Sequence, residues 1–243
     1  MTTSMFRALL AALVGIAVTL ICPSYARAAD SPAGGDDAAY GNTLRLGIYA
    51  VFYHTTANDI TGPFVPSGVN LKADDLVTPY AAYVRRLSTH FALEFALGLP
   101  PLTKTEGVGP ATLGSVPYNG QIISTARWFA PTLLLNYVFF DENTALRPYI
   151  GVGVNYTSFY DRDSTAAGNA ATGGPTKLEL PSSVGPSGTL GLSYRIAPHW
   201  GVYASYSITR VDTTLTAETG GLIRTTHIRF GPQALVLAAG YSF

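Results

Sequence analysis

Few residues of this 243-residue chain are suited to chemistry. Four histidines, His54, His90, His199 and His227, are scattered, and His90 and His199 fall in short turn-like stretches. No His-x-Glu, His-Glu-x-x-His or paired-His spacing joins them, so no metal site is expected. No GxSxG pattern marks a nucleophilic serine. A Ser–His pair on an outer surface stays open as an alternative, because serines are many. The reading adopted is that the chain is not an enzyme and needs no cofactor. The charged residues that draw notice are Glu94, Arg45, Arg147 and Arg195, in a chain with only 12% charged residues. Carried into a confined interior, such charges must pair with one another. They read as an inward ionic cluster, a structural plug before an ion-selectivity or gating device.

What positions these residues begins with the first 28. "MTTSMFRALLAALVGIAVTLICPSYARAAD" holds one early basic residue, Arg7, an apolar run from Ala8 to Cys22, and a small-x-small pattern at Ala26-Arg27-Ala28. This is the pattern of a secretory signal peptide, residues 1–28, cleaved after Ala28. The run is shorter than the roughly 20 residues of a spanning helix, which weighs against a retained anchor. Ile21 before Cys22 weighs against a lipoprotein. Cleavage would remove the only cysteine, and with it any disulfide or thiol chemistry. Loss of Arg7 and Arg27 from 15 basic residues against 15 acidic ones leaves a net charge of about −2. No basic patch suggests nucleic acid as a partner.

The remainder has little charge beside the usual share of about 25%, yet 47% of the chain is apolar, with 15 Tyr and 11 Phe. Eight stretches alternate with period two: 43–54, 75–87, 91–99, 128–140, 146–161, 188–196, 200–211 and 223–243. In "FALEFALGL", Phe91, Leu93, Phe95, Leu97 and Leu99 face one way, and Ala92, Glu94, Ala96 and Gly98 the other. The bulky face is aliphatic and the opposite face is small, with Arg45, Glu94 and Arg195 on it. Neither face carries the Lys/Glu coat of a soluble barrel or sandwich, the alternative all-β reading. The connections alternate long (55–74, 103–127, 162–181, and a moderate 217–222) and short (88–90, 141–145, 197–199). These features predict an eight-stranded antiparallel transmembrane β-barrel in the bacterial outer membrane, with short periplasmic turns and long extracellular loops. The expected organisation is a signal peptide at 1–28, a short periplasmic segment at 29–42 and the barrel at 43–243. Outer-membrane lipid is the expected partner.

The chain ends "LVLAAGYSF", with Phe243, Tyr241, Ala239, Leu237 and Leu235 on one face. Tyr241 and Phe243 are expected in the periplasmic aromatic girdle, and the pair resembles the signal read by the outer-membrane assembly machinery. Pro79, Pro131 and Pro232 lie in or at the ends of strands and lack an N–H for the ladder. Each reads as a bulge or strand end before it reads as a place where the wall could open. An eight-stranded interior admits side chains or one small ligand. Its candidate lining residues are Tyr49, Val51, Tyr53, Leu134, Tyr203 and Ser207, as a permeation path or as plain filling.

"FALEFALGLPP", "APTLLLNYVFFDENTALRPYIGVGVNYTSFYD", "VDTTLTAE" and "FGPQALVLAAGYSF" together resemble the outer membrane protein W family, which includes the alkane-uptake protein AlkL. The resemblance spans nearly all of the mature chain apart from the loops, and the block around Arg147-Pro148-Tyr149 is specific. It implies an eight-stranded barrel with a narrow, largely apolar lumen that passes small hydrophobic molecules, with a lateral opening as one route. Some relatives keep a bulky aromatic in the lumen where this chain has Ser207. The alternative function is a structural or adhesive barrel with a plugged lumen.

Overall fold

A computed structural model describes residues 41–243. The expected signal peptide, and the segment after it up to residue 40, lie outside the described residues.

Eight strands form a closed barrel. They are β1 (Asn42–Tyr53), β2 (Leu76–Arg86), β3 (Phe91–Gly98), β4 (Thr132–Val138), β5 (Leu146–Ser164), β6 (Ser183–Arg195), β7 (Trp200–Thr209) and β8 (Pro232–Ser242). Each pairs antiparallel with its neighbour, and β8 returns to β1 from Thr43↔Ser242 to Tyr53↔Pro232. Closure leaves no free edge, the condition for a β-structure to stand in lipid. Side chains alternate as the pleat requires. On β1, Leu44, Leu46, Ile48 and Phe52 are exposed on the outer wall, while Arg45 and Val51 are buried inside. Leu133 and Leu135 on β4, Leu190 and Leu192 on β6, and Leu235 and Leu237 on β8 continue this apolar outer wall.

The long connections are not open loops. They build a second tier of strands above the barrel: Thr56–Ala57, Asn70–Ala73, Leu102–Val108, Ile122–Phe129, Thr176–Glu179, Val211–Thr219 and Leu222–Phe230. The last part of β5 joins them, pairing with Ile122–Phe129 on one side and with Lys177 on the other. The 19-residue β5 therefore runs through both tiers. The edge segments Thr56–Ala57 and Asn70–Ala73 meet without a ladder. Ile60 N–H donates to the Val69 carbonyl at 2.8 Å, and Asn70 Nδ2 donates to the Ala57 carbonyl at 2.8 Å. A short helix, α1 (Ala166–Thr172), sits in the connection after β5; Thr165 Oγ1 accepts the Gly168 N–H at 3.1 Å, and Gly173 ends the helix at φ 89°.

The stretches expected as loops at 55–74, 103–127 and 162–181 thus contain strands. The reason is the solvent around them. In this tier many of the exposed residues are polar, such as Lys72, Lys104, Lys177, Glu179 and Arg229, although Leu102, Val108 and Ile223 are exposed too. The buried residues Leu71, Leu215 and Ile228 pack with Leu178, Leu180 and Phe230. The inside–outside pattern of the barrel is reversed, as expected for a wall surrounded by water. Two strands expected to be continuous are also broken. Residues 128–140 divide at Ala130-Pro131, and residues 223–243 divide at Gly231, so that Pro232 opens β8.

Candidate functional site

The lower interior is filled by one hydrogen-bonded cluster. Arg45 Nη1 on β1 donates to Glu94 Oε2 on β3 at 3.0 Å, with both side chains under one-tenth exposed. Tyr80 Oη on β2 donates to Glu94 Oε1 at 2.9 Å, and Asn136 Nδ2 on β4 donates to Oε2 at 2.7 Å. The carboxylate thus receives donors from three strands, which offsets the cost of burying it. The Arg45 guanidinium lies 4.0 Å from the Tyr203 ring centre and 5.5 Å from that of Tyr149, within reach of cation–π attraction. Glycines make room for these rings. A Cβ at Gly191 would run into the Tyr149 ring, and one at Gly240 would run into Tyr203.

Arg147 and Arg195 do not join this cluster. Arg147 Nη2 donates to the carbonyls of Thr89 at 2.6 Å and Phe140 at 2.8 Å. Arg195 donates to the carbonyls of Glu142 at 2.8 Å and Asn143 at 3.0 Å. Both sit near the turn end of their strands, where carbonyls in or beside the 88–90 and 141–145 turns take up their donors. They tie turns together, as do Arg86 and Glu142 at 2.8 Å. His90 and His199 do likewise, each placing Nδ1 against the carbonyl of a neighbouring strand, Val138 at 3.0 Å and Ser242 at 2.8 Å.

Above the plug three cavities stack. The lowest, of about 40 Å³, lies between Glu94, Tyr80, Leu134, Thr189, Ser207 and Val236. The next, of about 70 Å³, is lined by Tyr49, Val51, Tyr53, Trp128, Phe159 and Phe230. The highest, of about 30 Å³, lies in the second tier among Leu71, Thr55, Thr105, Leu178, Leu215 and Ile228. Tyr49, Ala130 and Thr209 line both the first and second, and Ala73, Leu180 and Phe230 both the second and third. Of the lining residues expected from sequence, Tyr49, Val51 and Tyr53 border the middle cavity and Leu134 and Ser207 the lower one. Tyr203 belongs to the plug. Trp128, whose Nε1 donates to Thr103 Oγ1 at 2.8 Å, Phe159 and Phe230 were not expected. Trp128 and Phe230 sit at ends of second-tier strands, where the alternation that marked the barrel no longer applies.

Along one seam of the wall the strand register is interrupted. The β3–β4 ladder ends at Ala96↔Thr132, and pairing resumes only at Leu102↔Arg127. Between lie Pro100 and Pro101 on one chain segment and Pro131 on the other, none of which has an N–H to give. Leu97, Gly98, Ala130 and Thr132 at this break border the lower cavity, so the cavity reaches the wall there. Pro79 leaves no such gap. Leu99 N–H donates to its carbonyl at 3.0 Å, and Thr78 Oγ1 supplies the missing return bond to the Leu99 carbonyl at 2.8 Å.

At the periplasmic rim, Tyr241 packs on Trp200 with ring centres 5.1 Å apart and on Phe243 at 6.4 Å. Phe243 exchanges backbone hydrogen bonds with Asn42, at 2.9 and 3.1 Å.

The sequence profile of the OmpW family matches residues 44–243, all of the barrel but the first two residues of β1, together with its second tier. The chain belongs to the OmpW family. It is 33% identical over 146 residues to outer membrane protein W of Salmonella typhimurium, covering 57% of this chain and 68% of that one. It is 24% identical over 186 residues to outer membrane protein AlkL of Ectopseudomonas oleovorans, covering 76% and 74%. The crystal structure of OprG from Pseudomonas aeruginosa superposes with a TM-score of 0.75 at 22% identity, covering 84% of this chain and 96% of that one. This OmpW-family chain is an outer-membrane β-barrel. Its long connections stand on the extracellular side and its short turns on the periplasmic side.

Proposed function

We propose that the barrel conducts small hydrophobic molecules from the extracellular side, through the stacked cavities, and out sideways into the membrane between β3 and β4. The observation that carries this reading is the joint placement of plug and gap. The axial route is filled by Arg45, Glu94, Tyr80 and Asn136. The cavity above it reaches the wall where the ladder fails. Phe91 to Leu97 spans roughly 20 Å of strand, which sets the gap inside the apolar band. An apolar solute leaving there meets lipid and avoids the desolvation cost of passing a buried ion pair. No bond is made or broken in this activity, and it calls for no cofactor or nucleic acid.

The plug also suits the alternative, a structural or adhesive barrel without transport. Transfer of a fluorescent hydrophobic probe into protein-containing liposomes, against empty ones, separates the two. The expected outcome is faster transfer with the protein. Leu134→Arg, which adds bulk and charge to the lower cavity, is expected to slow transfer severalfold in barrels that still show heat-modifiable migration on gels. Transfer at the empty-liposome rate by the unsubstituted protein would establish the structural alternative.

A further inference from the structure

On the outer face of the second tier one carboxylate holds two guanidiniums. Arg210 Nε donates to Asp212 Oδ2 at 2.5 Å, and Arg229 Nε donates to Asp212 Oδ1 at 3.0 Å. His227 Nε2 stands 4.0 Å from the same Oδ1. The two arginine side chains are more than half exposed. The other ion pairs among the described residues, Arg45–Glu94, Arg86–Glu142, Arg127–Asp161 and Lys177–Glu179, match one cation to one carboxylate. The Asp212 cluster therefore carries positive charge in excess. The Arg210 hydrogen bond also holds the Asp212 carboxyl below the usual carboxylate range, so it is ionised at neutral pH. Each guanidinium gives its Nε to Asp212, and no other hydrogen bond among the described residues takes up its terminal nitrogens. Asp212 thus fixes two planar forks side by side, the geometry that phosphate accepts.

The height of the cluster is as telling as its charge. The outer face of β7 runs Trp200, Val202, Ala204, Tyr206, Ile208 and then reaches Arg210. Ten residues make about 33 Å of strand, or about 25 Å of height at the usual tilt near 40°, the height of the apolar band in such barrels. Trp200 stands in the periplasmic girdle, so Arg210 stands where the outer-leaflet headgroups begin. Ile208 and Leu235, each about half exposed, lie on the wall beneath it.

We propose that Arg210 and Arg229, positioned by Asp212, bind a phosphate group of an outer-leaflet lipid whose acyl chains lie on Ile208 and Leu235. A plain surface ion-pair network has no need of unequal charge or of this height, and it would leave the terminal nitrogens of both guanidiniums to water alone.

The test uses the full barrel in detergent micelles, titrated with bis-phosphorylated lipid A and read by native mass spectrometry. Arg210→Gln with Arg229→Gln is expected to weaken binding about tenfold or more. Dephosphorylated lipid A is expected to bind the unsubstituted protein no better than the double variant binds the phosphorylated form. The Lys pair, which keeps charge and loses the fork, is expected to fall between. Folding is checked by heat-modifiable migration. If the Gln pair does not fold, Thr214→Glu, cross-strand from His227, places a second carboxylate beside the cluster and is expected to weaken binding severalfold. Equal binding by the variants overturns the proposal, as does equal binding of the dephosphorylated lipid. Displacement of the lipid by sodium phosphate at equal concentration would mean a free-phosphate site and overturn it as well.

Discussion

At the scale of single residues, the barrel's base depends on charges that satisfy one another. Glu94, itself buried, accepts from Arg45, Tyr80 and Asn136. Removing one member leaves the other charge buried and unmatched, whereas removing both replaces the pair with packing. Glu94→Ala is therefore expected to cost about 3–5 kcal/mol in a urea titration of the vesicle-inserted barrel. Arg45→Met combined with Glu94→Leu is expected to return to within about 1–2 kcal/mol of the unsubstituted protein. A double variant weaker than Glu94→Ala alone would mean that the pair stabilises the barrel beyond mutual compensation. The pairing of Arg45 with Glu94 was legible in the sequence because both fall on the small-residue face of alternating strands. That Arg147 and Arg195 stand apart was not. Alternation gives the face a side chain occupies, but not its height relative to turns on other strands, which is set by register.

At the scale of elements, the same chain writes two opposite patterns. The barrel strands put bulk outward and small residues inward, and this inversion of the usual rule made them readable. The second tier puts Leu71, Leu215 and Ile228 inward and Lys72, Lys104 and Arg229 outward. In "LTKTEGV", buried Thr103 alternates with exposed Lys104, so both faces are polar and no hydrophobic period appears. Threonine favours strands by its branched Cβ, but that signal alone did not separate these strands from loops. The two patterns predict opposite responses to one substitution. Leu237→Arg, mid-wall on β8, is expected to cost about 2–4 kcal/mol, while Thr214→Arg, exposed in the upper tier, is expected to stay within about 0.5 kcal/mol. Unfolding in lipid vesicles measures both. Equal costs would mean that the membrane boundary does not lie between them.

At the scale of the whole molecule, orientation and closure are the properties to test. A peptide tag inserted at Asn169 in α1 is expected to bind antibody on intact cells; labelling only after the outer membrane is breached would reverse the orientation. Deleting Phe243 removes a girdle ring and both backbone bonds to Asn42. The expected result is a smaller heat-modifiable fraction at equal expression, and an unchanged fraction would show that the terminal ring has no part in assembly.

The pairing of Thr43 with Ser242 also bears on how the protein is made. The strand that completes the wall is the last of the described strands, and its partner is the first. Until β8 is made, every growing chain carries an unclosed edge and an apolar face with no lipid to meet. A prematurely terminated product would keep that edge for good, exposed to aggregation and proteolysis. The circular wall therefore makes closure all-or-none: only a chain that carries both β1 and β8 can form a sealed object.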